Sequence, residues 1–164
     1  MKKILALILT LLLVLSFTAC GSEEATVEAT TEVTTEATNE PTTEDTETVI
    51  DYNAVAAAIE STGTQWDYWN VDVIGEAFFI NFAFNGMSEA VEMFKEAGYD
   101  ENYSEWVTVK ETVLSLYESN VNLIKAFGVE NPVCFLSLVN EQNLGEVFIS
   151  VYDGEVTTDI METN

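Results

Sequence analysis

Residues 133–160 read VCFLSLVNEQNLGEVFISVYDGEVTTDI, and this stretch decides the fold class. It opens on a nearly continuous apolar run, Val133 to Val139, the pattern of a strand covered on both faces. A loop over Glu141 to Leu144 leads into Val147, Ile149 and Val151, which alternate with other residues as a half-buried strand requires. Asp153-Gly154 then supplies a two-residue hairpin signal, and Val156, Thr158 and Ile160 continue the alternation in a last strand.

Upstream the period changes. Asn102 followed by Glu105 resembles a capping box. Behind it Trp106, Val107, Val113, Leu114, Tyr117, Val121 and Ile124 recur at helical spacing up to Gly128 and Pro132. These marks predict a helix of about 22–25 residues. Ser88 is placed to cap a shorter helix carrying Ala90, Val91, Phe94 and Ala97, which stops at Gly98. Two alternating runs precede it, Trp69-Val71-Val73 and Phe78-Ile80-Phe82-Phe84, joined by a turn at Gly75-Glu76. Asp51 opens a first helix with Tyr52, Val55, Ala56 and Ile59 on one face, ended by Gly63. The order is α-ββ-αα-βββ. Hairpins imply mostly antiparallel pairing, so the expected fold is α+β, with about five strands and the helices packed on one face of the sheet.

This domain spans residues 49–164 and holds almost all the aromatic residues. Before it, residues 21–48 contain none. Glu24, Glu28, Glu32, Glu36, Glu40 and Glu44 stand four apart, each followed two residues later by Thr26, Thr30, Thr34, Thr38, Thr42 or Thr46. A helix would stack those like charges on one face, and Pro41 and the β-branched threonines disfavour one further. With so little apolar surface to bury, a disordered tether is expected. It would average about 30 Å end to end and reach about 95 Å when extended. O-glycosylation of its threonines is the alternative use.

Residues 1–20 begin Met-Lys-Lys, continue as an apolar run from Ile4 to Phe17, and close on Thr18-Ala19-Cys20. The run of 14 residues falls short of the ~17–25 needed to span a bilayer and has the layout of an export signal. Thr18, Ala19 and Cys20, followed by Gly21, resemble the lipobox of bacterial lipoproteins, with Phe17 standing where Leu is usual. That resemblance implies cleavage after residue 19, a diacylglycerol thioether on Cys20, and a lipid-anchored location on the outer face of the cell membrane. Two acyl chains anchor stably where one does not. Leu138 to Asn143 and Tyr152 to Val156 also resemble the closing hairpin of uncharacterised lipoproteins from Gram-positive anaerobes, a likeness that brings no activity with it.

Charge narrows the partners. The chain carries 29 acidic residues against five lysines, a net charge of −24, and neither arginine nor histidine. Beyond residue 20 the balance is three lysines against 29 acids, or −26. Such a surface repels phosphate backbones and anionic membranes, which excludes nucleic acid and leaves the lipid on Cys20 as the membrane link. Without histidine, Ser-His and Cys-His nucleophiles and Cys/His zinc sites are excluded. Without arginine there is no bidentate clamp for phosphate. Cys134 has apolar neighbours and no basic one, so it reads as a core thiol.

Three chemistries stay open. A pair among the 20 acids of residues 49–164 could serve a small carboxylate-dependent glycan hydrolase. Oxygen donors cluster at Asp100, Glu101 and Asn102 and at Asp153 and Glu155, but neither group has calcium-loop spacing and both suit turns. Trp66, Tyr68 and Trp69, packed into four residues where a loop enters the first strand, could stack on a sugar or anchor a partner, or else cover the core. Tyr99, Tyr103 and Trp106 offer a second aromatic edge. The expected function is a non-catalytic surface domain, without a cofactor, that binds an extracellular protein or glycan. The hydrolase and a passive surface protein are the alternatives.

Overall fold

In the computed structural model, residues 49–162 are described. The expected export signal, Cys20 and the expected Thr/Glu-rich tether lie outside the described residues. No helix among the described residues is long and apolar enough to cross a membrane.

Helix α1 (Tyr52–Thr62) starts where Asp51 accepts from the amides of Asn53 and Ala54 at 3.0 and 3.2 Å, an N-cap that satisfies donors the helix cannot. Strands β1 (Tyr68–Ile74) and β2 (Ala77–Ala83) form a hairpin through Gly75-Glu76. Gly75 takes the left-handed φ of +64° that the turn needs at its first central residue. Helices α2 (Met87–Glu96) and α3 (Ser104–Ala126) follow, then β3 (Val133–Asn140), β4 (Asn143–Tyr152) and β5 (Glu155–Asp159). At the β4–β5 turn Asp153 and Gly154 both have positive φ, +52° and +77°, as a tight hairpin of this twist demands.

The strands lie side by side in sequence order, β1-β2-β3-β4-β5. Three neighbouring pairs are antiparallel, but β2 and β3 run parallel, with Ala77 opposite Val133 and Phe82 opposite Leu138. The two helices between them carry the chain back to the end of the sheet where β2 began, as a parallel neighbour requires. The α+β class, the five-stranded sheet and the element order agree with the sequence.

The core lies between the helices and one sheet face. From the sheet come Val71, Phe78, Ile80, Phe82, Cys134, Leu136, Leu138, Ile149 and Val151. From the helices come Val55 and Ile59, then Val91 and Phe94, then Trp106, Val109, Val113 and Tyr117, at three- and four-residue spacings, with Ile124 two turns further on. Among polar residues inside, Thr112 Oγ1 donates to the Thr108 carbonyl and Asn120 Nδ2 to that of Leu116, both at 2.8 Å.

Asp51 opens the first helix as expected, but the other two helix starts are corrected. Ser88 does not cap α2. Its amide and hydroxyl donate to the Glu141 carboxylate, which also accepts from the Gly86 amide at 3.0 Å. The cap therefore comes from the β3–β4 turn, 53 residues downstream of Ser88, and places an anion at the positive helix end. At α3 the first helical residue is Ser104, after Tyr103, and Asn102 makes no capping bond. Asn102 is held in a turn instead, its amide donating to Asp100 Oδ1 at 2.9 Å. A turn of this kind competes with capping for the same side chains.

Candidate functional site

Alternation along each strand gives the sheet a second face, and no described helix packs on it. Its residues come into line because the strands are in register. Asp72 lies opposite Phe79, Phe79 opposite Phe135, Phe135 opposite Tyr152, and Tyr152 opposite Glu155. This is a row across all five strands, three aromatic rings with a carboxylate at each end. The Phe79 and Phe135 ring centres are 4.9 Å apart with planes 3° from parallel. Those of Phe135 and Tyr152 are 4.4 Å apart and 11° from parallel. None of the three rings belongs to the core cluster or packs against it.

A second row runs beside the first: Asn70, Asn81, Ser137, Ser150 and Thr158. Amides and hydroxyls on a half-covered face can donate and accept without a charge cost. The Ser137 and Ser150 hydroxyls are 3.2 Å apart, and Asn70 Nδ2 donates to Asp72 Oδ2 at 2.7 Å. Towards one end of the strands Ile74 and Val133 are exposed, 68% and 39%, and Tyr152 is 40% exposed. An apolar strip rimmed by polar groups and open to solvent is the usual form of a recognition surface.

The row also corrects the reading of Val133 to Val139. This strand is not covered by packed elements on both faces. One face meets helices, and the other is apolar because Phe135 sits between the rings of two neighbouring strands. The run of apolar residues was the sequence signal for the row, but an inner strand and a ring-bearing open face produce the same pattern.

Trp66, Tyr68 and Trp69 do not share one surface. Trp66 and Trp69 stack on the helix side, centres 6.4 Å apart and planes 12° from parallel, and both lean on Phe82. Each is half-buried against the core. The Trp69 indole lies over Gly63, so close that a Cβ there would fall 2.1 Å from its Cγ. Its Nε1 is buried without an acceptor. With the Gln65 amide turned to satisfy both neighbours, that side chain accepts from Trp66 Nε1 at 3.2 Å and donates to the Thr62 carbonyl. Tyr68 points the other way, opposite Ala83 on the open face of the sheet. Cys20 lies outside the described residues.

The second aromatic group is also divided. Tyr99 and Tyr103 stack at 3.9 Å, and Phe94 meets the edge of Tyr103 at 5.0 Å. Trp106 is wholly buried and contributes no edge. Its Nε1 donates to Asp159 Oδ1 at 2.7 Å, while Asp159 Oδ2 accepts from Lys110 Nζ at 2.9 Å. Burial first, then the hydrogen bond and charge of Glu105, push the Tyr103 phenol up to about 12. Glu105 itself is held below the usual carboxylate range, chiefly by the Ser104 hydroxyl. That shift is opposite to the raised value of a glycosidase general acid.

Among the described residues no three His, Cys, Asp or Glu side chains are grouped to hold a metal ion. Asp100, Glu101 and Asn102 bond one another in their turn, and Asp153 serves the β4–β5 hairpin. Cys134 faces the core, and burial pushes its thiol up to about 12, away from the reactive thiolate. The chain matches no family model, no curated protein and no solved structure.

Proposed function

We propose that this chain is a lipid-anchored protein of the outer face of the cell membrane, whose folded domain is a non-catalytic module binding an extracellular protein or glycan. The observation that carries the binding role is the open sheet face, where three rings and a polar row stand uncovered by any described element. The anchor is supported by the apolar run ending at Cys20 and by a charge that rules out electrostatic attachment to anionic lipid. The Thr/Glu-rich segment between the two is a spacer that carries the domain clear of the lipid surface.

Two measurements test the two halves. Cells expressing the chain are fractionated with and without Cys20→Ser. The anchored protein moves from the membrane to the soluble fraction on substitution, and a Cys20→Ser chain that stays in the membrane refutes the lipid anchor. Melting temperature of the full chain, purified in detergent, is then followed against cell-wall fragments, oligosaccharides and peptides. A ligand of the folded state at a hundred times its Kd stabilises by about 2.7 kcal/mol. The shift disappears in Ser150→Arg, which puts a bulky cation in the middle of the open face. A shift that survives Ser150→Arg places binding elsewhere.

A further inference from the structure

We infer that the open sheet face takes a cationic polypeptide, with lysine or arginine side chains seated at the two ends of the aromatic row. This rests on the face being the binding surface proposed above and names the chemistry of its partner. Rings that are parallel within 3° and 11° at 4.9 and 4.4 Å are too close to lie side by side in one plane. They overlap face to face and show their edges to solvent. Phe135 therefore has no free face, since Phe79 covers one side and Tyr152 the other. A sugar stacks on an aromatic face rather than an edge, so the middle of the row is poorly suited to a glycan.

Two free faces remain, the outer side of Phe79 towards β1 and the outer side of Tyr152 towards β5. The register sets a carboxylate beside each, Asp72 against Phe79 and Glu155 against Tyr152. A ring face attracts a cation through its quadrupole, and an adjacent carboxylate adds charge attraction. At the first end Asn70 orients the Asp72 carboxylate by donating to Oδ2. Both carboxylate residues are exposed.

The surroundings carry the same sign. No lysine occurs in any strand or hairpin turn, and the three lysines of the domain are all on helices α2 and α3. Lys110 is already bound to Asp159. A second copy would bring acids against acids, and the chain's own Glu-rich segment is repelled for the same reason. The two ends are four strand spacings apart, about 19 Å at ~4.8 Å each. An extended chain crossing the strands covers that distance in about six residues. The fitting ligand is a basic segment with cationic side chains about six residues apart.

The test uses the full chain in detergent and a Gly/Ser peptide of about twelve residues bearing two arginines six apart, followed by calorimetry at low and high salt. Binding weakens at least tenfold in Asp72→Asn/Glu155→Gln. It also weakens in Tyr152→Leu, which keeps an apolar side chain and removes the ring face. Glu111→Gln/Glu118→Gln, an equal loss of charge on the exposed side of α3, changes it less than twofold. Equal losses in the two doubly neutralised proteins mean general attraction to a polyanion and overturn the inference. Light scattering showing a dimer that Ser150→Arg dissociates also overturns it, with a second copy as occupant. An oligosaccharide or neutral peptide whose binding Ser150→Arg abolishes, with no response to arginine, overturns the cationic partner and leaves the proposed binding face standing. If no ligand responds to Ser150→Arg, both fail.

Discussion

Asp159 gathers polar contacts from two elements of the fold. Its carboxylate accepts from Trp106 Nε1, Lys110 Nζ and the Met161 amide at 2.7, 2.9 and 3.0 Å, and its side chain is 7% exposed. Removing one partner of a buried pair leaves the other charge uncompensated, which costs more than the pair is worth. Asp159→Ala should therefore destabilise the fold by about 3 kcal/mol in urea titration. A loss below about 1 kcal/mol would mean that water replaces the carboxylate. Gly63 is sensitive for a steric reason. Its φ of −85° suits any residue, so alanine would normally stabilise by reducing unfolded-chain entropy. The Trp69 ring occupies the space of the added methyl, and Gly63→Ala should instead cost about 2 kcal/mol, as overpacking does. Combining it with Trp69→Ala should cost less than the two separate losses together, and simple additivity would show that the ring moves aside freely.

At the scale of elements, helix α2 depends on a turn far from it in sequence. The Glu141 carboxylate satisfies the Gly86 and Ser88 amides at the helix start and accepts from the Ser88 hydroxyl at 2.7 Å. Loss of an N-cap costs about 1 kcal/mol, and the charge lost from the positive helix end adds to it. Glu141→Ala should lower stability by about 1–2 kcal/mol and speed hydrogen exchange at the first turn of α2 while leaving α3 protected. Unchanged exchange there would show the cap to be dispensable. The strands themselves were legible. Period-two patterns marked β1, β2, β4 and β5, and Gly75-Glu76 and Asp153-Gly154 marked their turns, because turn chemistry and alternation are properties of adjacent residues. The caps were not. A capping box needs only two residues three apart, and at Asn102 the Asp100 turn bound that amide first.

For the molecule as a whole, titrating groups that are buried or half-buried set its behaviour in alkali. Burial pushes Cys134 from 9.0 up to about 12 and raises Tyr117 above 10.0, with the nearby Cys134 adding to the latter, and Tyr103 is also pushed up to about 12. Each is neutral when protonated, so the folded chain keeps protons that the unfolded chain releases. Their contribution is complete below about pH 9 and is lost as pH rises from there towards 12. The urea midpoint should fall steadily between pH 9 and 11, and less steeply in Tyr117→Phe. A midpoint unchanged over that range would mean that these groups ionise without unfolding.

The sequence alone determined the order α-ββ-αα-βββ, the helix-facing apolar side of the strands and the chemistries closed to a chain without histidine or arginine. Each follows from composition or from neighbours a few residues apart. Only the tertiary structure decided that β2 and β3 run parallel at the middle of the sheet, and with that, which side chains meet. Phe79, Phe135 and Tyr152 come from three strands, the Glu141 cap reaches back 53 residues to Ser88, and Lys110 finds Asp159 49 residues on. Strand order and register set those meetings, and local periodicity carries no information about either, since an apolar residue looks the same beside a helix as beside another ring.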